Sequence, residues 1–157
     1  MSAAPERVVR AAAAAGMRIA SAESLTAGMV AAELGTVPGA SAVLQGGVVA
    51  YQNSVKEQVL GVSGTLLAAA GSVDGRVAEE MAAGVRRLLN ADFGVSTTGV
   101  AGPEPHDGKP VGTVFIGVAG PAGIRSREFR FTGDRASIRL QACAAALALL
   151  AGELGAR

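Results

Sequence analysis

Ser24, Tyr51 and Lys56 have the residue types and spacing for nucleophilic chemistry in this 157-residue chain. Ser24 stands in Glu23-Ser24-Leu25-Thr26-Ala27-Gly28, after the apolar run Met17 to Ala22 and before a helical run to about Leu34. A serine between a strand and a helix has two uses. It caps the helix by accepting a first-turn N–H, the commoner use on placement alone. It acts as a nucleophile if a base is in reach and free amides at the positive helix end receive an oxyanion. Thr26 is a second cap candidate, which would release Ser24 for that work. The segment is not the G-x-S-x-G elbow of α/β-hydrolases.

The base has two candidates. His106, the only histidine, lies in a Pro/Gly/Asp-rich loop, Pro103 to Gly108, where nothing nearby in sequence orients it. The other is a neutral lysine. Lys56 follows Tyr51, the only tyrosine, on the next helix. An ordinary lysine has a pKa of about 10.4, so Lys56 would need burial or a neighbouring cation to act near neutrality. Tyr51 would then relay or donate a proton, completing a Ser–Tyr–Lys arrangement. The plain alternative is a solvated Lys56 beside Glu57, with Tyr51 closing a strand.

Other segments offer binding rather than bond-making. The loop Gly99-Val100-Ala101-Gly102-Pro103 lacks large side chains, so its amides can approach a phosphate or ribose. It is neither a Walker A loop nor a dinucleotide fingerprint, and a plain turn accounts for it equally. In Gly133-Asp134-Arg135, Asp134 fits a helix N-cap. Arg135 in the first turn opposes the helix dipole, which fits either an anion-holding role or a surface arginine. No metal site is expected: Glu79 and Glu80 are adjacent and point apart, and Glu104 and Asp107 have no histidine cluster. Cys143 reads as a small core residue.

These groups need a scaffold. Half of the residues are hydrophobic, 17% are charged, and mean hydropathy is +0.38, which excludes a disordered chain. A net charge of +1 leaves no basic excess for a nucleic-acid backbone. One cysteine excludes an intrachain disulfide. Val8 to Ala15 and Ala142 to Ala151 are too short to span a membrane, and Glu6, Arg7 and Arg10 break a signal-peptide layout. A cytoplasmic protein is expected.

The patterning alternates between helical and strand-like segments. Helices are expected over 5–15, to about Leu34, over Asn53 to Leu60 with Asn53 as its cap, over Ser63 to Ala70, over 75–90, and from Asp134 to about Leu150. In the helix over 75–90, Val77, Met81, Val85 and Leu88 share an apolar face. Strands are expected at Met17 to Ala22, Val43 to Tyr51, Phe93 to Thr98, Val111 to Ala119 and Ile124 to Phe131. Gly46 and Gly47 predict a bulge or close approach in the second strand, and Gly120-Pro121-Ala122-Gly123 a late hairpin. The sum is one α/β domain over residues 1–157, a three-layer α/β/α sandwich with a mixed central sheet. Its site is expected in the loops after Ala22, Ala50 and Thr98.

The segments, taken together, resemble the CinA C-terminal domain family. Ala22-Glu23-Ser24-Leu25-Thr26-Ala27-Gly28 resembles its A-E-S-C-T-G-G signature. Tyr51-Gln52-Asn53-Ser54-Val55-Lys56, with Leu60-Gly61-Val62, resembles its Y-x-N-x-x-K and G-V segment. Thr98 to Pro103 resembles S-G-I-A-G-P, Lys109 to Val114 repeats K-P-V-G-T-V, and Gly133-Asp134-Arg135 repeats G-D-R. The matches run in the family's order from about residue 6 to 151.

The resemblance implies an α/β/α sandwich and a reaction. Active members are amidases that hydrolyse nicotinamide mononucleotide to nicotinate mononucleotide and ammonia, recycling pyridine nucleotides without a cofactor. It implies Ser24 as nucleophile, Lys56 as general base and Tyr51 as proton relay or amide-positioning group. Arg135 and the Gly99–Gly102 loop, with Ala101, are the implied ribose-phosphate contacts. Thr26, Thr98 and Lys109 join the expected substrate-binding set. The expected partner is a small nucleotide, with no nucleic acid and no membrane, and a homo-oligomer is expected. The chain looks like the family's stand-alone form.

Departures are few. Leu25 replaces the usual Cys, Ala27 the first Gly of a pair, Thr98 a Ser, and Asp74 a Ser that it can replace as a cap. Ala27 is expected to narrow the approach of backbone to substrate. Two other readings stay open: a nucleotide-binding module without turnover, and a competence-related interaction protein. The presence of Ser24, Tyr51 and Lys56 together favours the enzyme.

Overall fold

The computed structural model describes residues 3–155; the ends of the expected 1–157 domain, residues 1–2 and 156–157, lie outside the described residues. The elements run α1 (Ala4–Ala15), β1 (Ile19–Glu23), α2 (Met29–Gly35), a 3-10 turn (Ala40–Ala42), β2 (Leu44–Val49) and α3 (Asn53–Gln58). They continue with α4 (Gly64–Ala70), α5 (Gly75–Leu88), β3 (Phe93–Gly99), β4 (Thr113–Gly120), β5 (Gly123–Arg130) and α6 (Arg135–Gly155).

The local signals explain most boundaries. Gly16 takes the left-handed conformation that ends α1. Ser63 accepts from the Leu66 N–H to cap α4, and Asp74 accepts from the Arg76 N–H to cap α5. Asp134 accepts from the Ser137 N–H at the start of α6. Asn53 does not cap α3: it is the first helical residue, and Gln52 before it makes no capping bond. Leu88 is half exposed rather than buried with Val77, Met81 and Val85.

The sheet order is β2-β1-β3-β4-β5. β1 is parallel to both β2 and β3, whereas β3–β4 and β4–β5 are antiparallel, so the sheet is mixed. Pro121 and Ala122 close the β4–β5 hairpin. The register of β2 against β1 shifts between Leu44 and Gly46, and a Cβ on Gly47 would meet the Ser21 hydroxyl at 2.6 Å. The expected bulge and close approach are both here.

Two apolar cores make the three layers. α1, α2 and α6 cover one face around Val8, Leu34, Ile138 and Leu147, against Ile19, Val95 and Ile116. α5 covers the other with Val77, Met81 and Val85, joined by Leu60 and Leu67. A chain with 3% aromatic residues fills these layers by close approach. A Cβ on Gly94 or Gly117 would collide with the Ala82 or Ala78 carbonyl of α5, and the Ser96 hydroxyl donates to Ala78 O. α6 is long and apolar enough to cross a membrane by length and composition. Its buried residues, among them Ala142, Ala146 and Leu150, instead belong to the core shared with α1 and the sheet. The Cys143 thiol lies in that core, and burial pushes its pKa up to about 12, which keeps it an unreactive thiol.

Because β1, β2 and β3 are parallel, their carboxyl ends open on one edge. The chain leaves β1 toward β2 on one side and later returns to β3 on the other. That is the switch point where open α/β sheets form clefts.

Candidate active site

A cleft of about 450 Å³ lies at this edge, within the usual size for small-molecule sites. Ser24, Tyr51, Gly99, Ala101, Gly102 and Arg135 line it, so the three loops and the start of α6 converge.

Ser24 directly follows β1, but it does not open a helix. Residues 24–28 form a separate turn, and α2 starts at Met29. The Ser24 N–H donates to the carbonyl (3.0 Å) and hydroxyl (3.3 Å) of Thr97. The Lys56 Nζ stands 3.1 Å from Ser24 Oγ and donates to the Tyr51 carbonyl at 3.0 Å. Lys56 is only 1% exposed, although it is the fourth residue of a short helix. Burial drives its pKa down from 10.5 to about 8, against a smaller opposing pull from Asp107. About a tenth of Lys56 is therefore neutral at pH 7, far more than for an ordinary lysine. In that form the nitrogen lone pair can accept the Ser24 proton across the same contact.

Tyr51 divides its two ends. Its carbonyl holds Lys56, while its 48% exposed side chain extends toward Arg135, whose Nη2 donates to the phenol oxygen at 2.8 Å. Arg135 Nη1 donates to the Gly102 carbonyl at 2.5 Å. The guanidinium thus bridges the two sides of the cleft and keeps further N–H donors for a ligand.

Glu23 organises the turn. Its carboxylate is 1% exposed and accepts at Oε1 from the Thr26 hydroxyl (2.7 Å), the Gly28 N–H (3.1 Å) and the Val30 N–H (2.8 Å). Oε2 accepts from the Ala31 N–H (3.0 Å) and the Ser21 hydroxyl (3.3 Å). The expected open helix end is therefore closed: a protein carboxylate already occupies the first amides of α2. Among the described residues, the N–H groups of Leu25 and Thr26 meet no protein acceptor. Arg139 of α6 holds the turn from outside by donating to the Leu25 carbonyl at 2.8 Å.

Three expected substrate contacts lie elsewhere. Thr26 is buried between Glu23 and the Thr97 hydroxyl at 2.8 Å. Thr98 is buried on the opposite face of β3 and donates to Ser72 O. Successive strand residues alternate faces, so Thr97, not Thr98, reaches the Ser24 turn. Lys109 donates to Val73 O at 2.8 Å and anchors its loop. Ala27 is absent from the cleft lining; its departure from glycine matters through φ, which at 49° is left-handed. His106, read as unoriented, lines the cleft with Nε2 3.2 Å from Asp107 Oδ2. Asp107 is itself fixed by the Ser72 N–H at 3.0 Å.

Sequence reasoning missed Glu23, Thr97 and Arg139 as organisers of the site. For Glu23 a signal existed: an acid ending the apolar strand Ile19-Ala20-Ser21-Ala22 has to find donors or stay out of the core. Arg139 carried none, since one arginine among many on helices is ordinary. Among the described residues, no three His, Cys, Asp or Glu side chains gather as metal ligands.

The model of the CinA C-terminal domain matches residues 1–154. The chain belongs to the CinA C-terminal domain family. A CinA-like protein of Frankia casuarinae is 53% identical over 132 residues, covering 84% of this chain and 30% of that protein. One from an Anaeromyxobacter species is 53% identical over 149 residues, covering 93% of this chain and 36% of its own length. The chain thus spans about a third of the curated relatives it matches. The fold agrees with solved CinA superfamily structures. A Klebsiella pneumoniae member has a TM-score of 0.94 at 35% identity, with 98% of this chain and 97% of that one covered. A competence/damage inducible protein from Agrobacterium tumefaciens has a TM-score of 0.92 at 34% identity, with 97% and 93% covered.

Proposed function

We propose that this CinA-family chain is an amidohydrolase that converts nicotinamide mononucleotide and water to nicotinate mononucleotide and ammonia. One observation carries the reading: a buried lysine of lowered pKa within hydrogen-bond reach of a serine hydroxyl at the mouth of a cleft. A solvated lysine or a helix-capping serine would not be arranged this way. The family resemblance supplies the substrate.

In the first stage neutral Lys56 takes the Ser24 proton as Oγ bonds to the carboxamide carbon. The oxygen of the tetrahedral intermediate takes the open N–H group of Leu25, which lines the cleft. Lys56 returns the proton to the nitrogen as the C–N bond breaks, and ammonia leaves. In the second stage Lys56 deprotonates a water that attacks the acyl carbon. The Ser24 ester bond then breaks, and Oγ recovers its proton. Arg135 offers its remaining fork to the phosphate, and the Gly99–Gly102 loop faces the ribose. The Tyr51 phenol, bonded to Arg135 rather than Ser24, orients that guanidinium. No step requires a metal or an organic cofactor, and the reaction suits a cytoplasmic enzyme acting on a nucleotide.

The test is ammonia release from nicotinamide mononucleotide by the purified protein beside Ser24→Ala. Release by the first and none by the second is expected. Equal release removes Ser24 as nucleophile. Binding of the nucleotide without release by either would make this a binding module.

A further inference from the structure

We propose that Glu23 is a positioning residue for Ser24, whose buried carboxylate shapes the 24–28 turn so that the Leu25 amide stays open to the reacting oxygen. The inference rests on the amidohydrolase reading and adds a group that the reaction itself does not touch. Helix capping alone does not account for the residue. A Ser, Thr, Asp or Asn beside a helix caps it with one or two bonds, without burying a charge in the core. Glu23 instead collects five donors from both sides of the turn.

Its bonds reach the nucleophile by a continuous path. Glu23 Oε1 accepts from the Thr26 hydroxyl, which meets the Thr97 hydroxyl, which accepts from the Ser24 N–H. The same carboxylate takes the N–H groups of Gly28, Val30 and Ala31. Directly after Ser24, the Leu25 N–H meets no protein acceptor, and Leu25 lines the cleft.

The experiment is Glu23→Gln, which keeps the shape but turns an NH2 group on the amides. The expected result is a kcat lower by about 10²-fold, the scale of a lost oxyanion donor, with KM within about threefold. The rate at which a fluorophosphonate labels Ser24 should fall by a similar factor. In that probe reaction Oγ bonds to phosphorus, fluoride leaves and the hydroxyl proton passes to Lys56. The rise of rate with pH should keep its midpoint near 8, since Lys56 is unchanged.

A lower Tm with unchanged kcat and labelling rate would reduce Glu23 to a helix cap and overturn the proposal. A raised KM at full kcat would overturn it too. Should Glu23→Gln fail to fold, Thr26→Val and Thr26→Ser read the path from its other end. Valine should cost about tenfold in kcat while serine stays near wild type, and equal activities overturn the proposal. A wild type that labels at Ser24 but releases no ammonia would sink the substrate reading and leave the Glu23 test to the labelling rate. A wild type that does neither sinks both.

Discussion

The two walls of the cleft are held in different ways. On one wall, the Ser24 turn is tied through the buried Glu23, Thr97 and Lys56, with the half-buried Arg139 of α6 holding it from outside. On the other, Pro103 to Gly108 stands in solvent and is pinned at Asp107 and Lys109. Buried bonds are strong because no water competes, so the first wall holds its atoms in place. The exposed wall has weaker ties and can adapt to a ligand. In the proposed reaction, bond-making falls to the first wall and ligand-holding to the second.

Breaking the buried wall has the largest expected effect. Ser24→Ala and Lys56→Ala should each lower kcat by about 10³-fold or more, and the double variant should be little worse than either, because the pair acts as a unit. Ammonia release measures all three. The rate should also climb as pH rises toward about 8 and then level off, because in the proposed reaction only neutral Lys56 serves as base.

Arg135 tests the other wall. Arg135→Lys keeps the charge but loses the fork between Gly102 and Tyr51. KM for the nucleotide should rise about tenfold with kcat within about threefold. A fall in kcat equal to that of Lys56→Ala would erase the division between the walls.

Stability gives two smaller tests. The folded-state pKa of Lys56 lies below its unfolded value, so between pH 8 and 10.5 the folded chain binds fewer protons than the unfolded one. The resulting destabilisation is fully present below pH 8 and is relieved as pH rises through that window. Lys56→Met should therefore raise Tm most below pH 8, with the gain shrinking toward pH 10.5. Ala27→Gly should stabilise by about 1 kcal/mol, because φ at 49° suits glycine, while leaving kcat unchanged. Chemical denaturation measures the second.

Much of this was legible because local signals and periodicity agreed. Gly16, Asp74 and Asp134 mark helix ends by conformations and caps that act within a few residues. The contacts that were not legible share a cause. Which of Thr97 and Thr98 faces the Ser24 turn is hidden, because strand parity depends on which face each helix layer covers. The inward partners of Thr26 and Lys109, Glu23 and Val73 O, are invisible until the chain closes. The surroundings of His106 are hidden in the same way, because its neighbour Asp107 is fixed by Ser72, 35 residues away.

By itself, the sequence determined the alternation of helices and strands, the mixed sheet, the family, and which segments carry polar groups at strand ends. Those follow from interactions a few residues long and from burial patterns that a one-dimensional reading captures. Only the tertiary structure decided that Lys56 is buried rather than solvated, that its Nζ meets Ser24, and that Glu23 closes the α2 end. Each of these depends on desolvation by groups distant in sequence, and that is set when the layers pack.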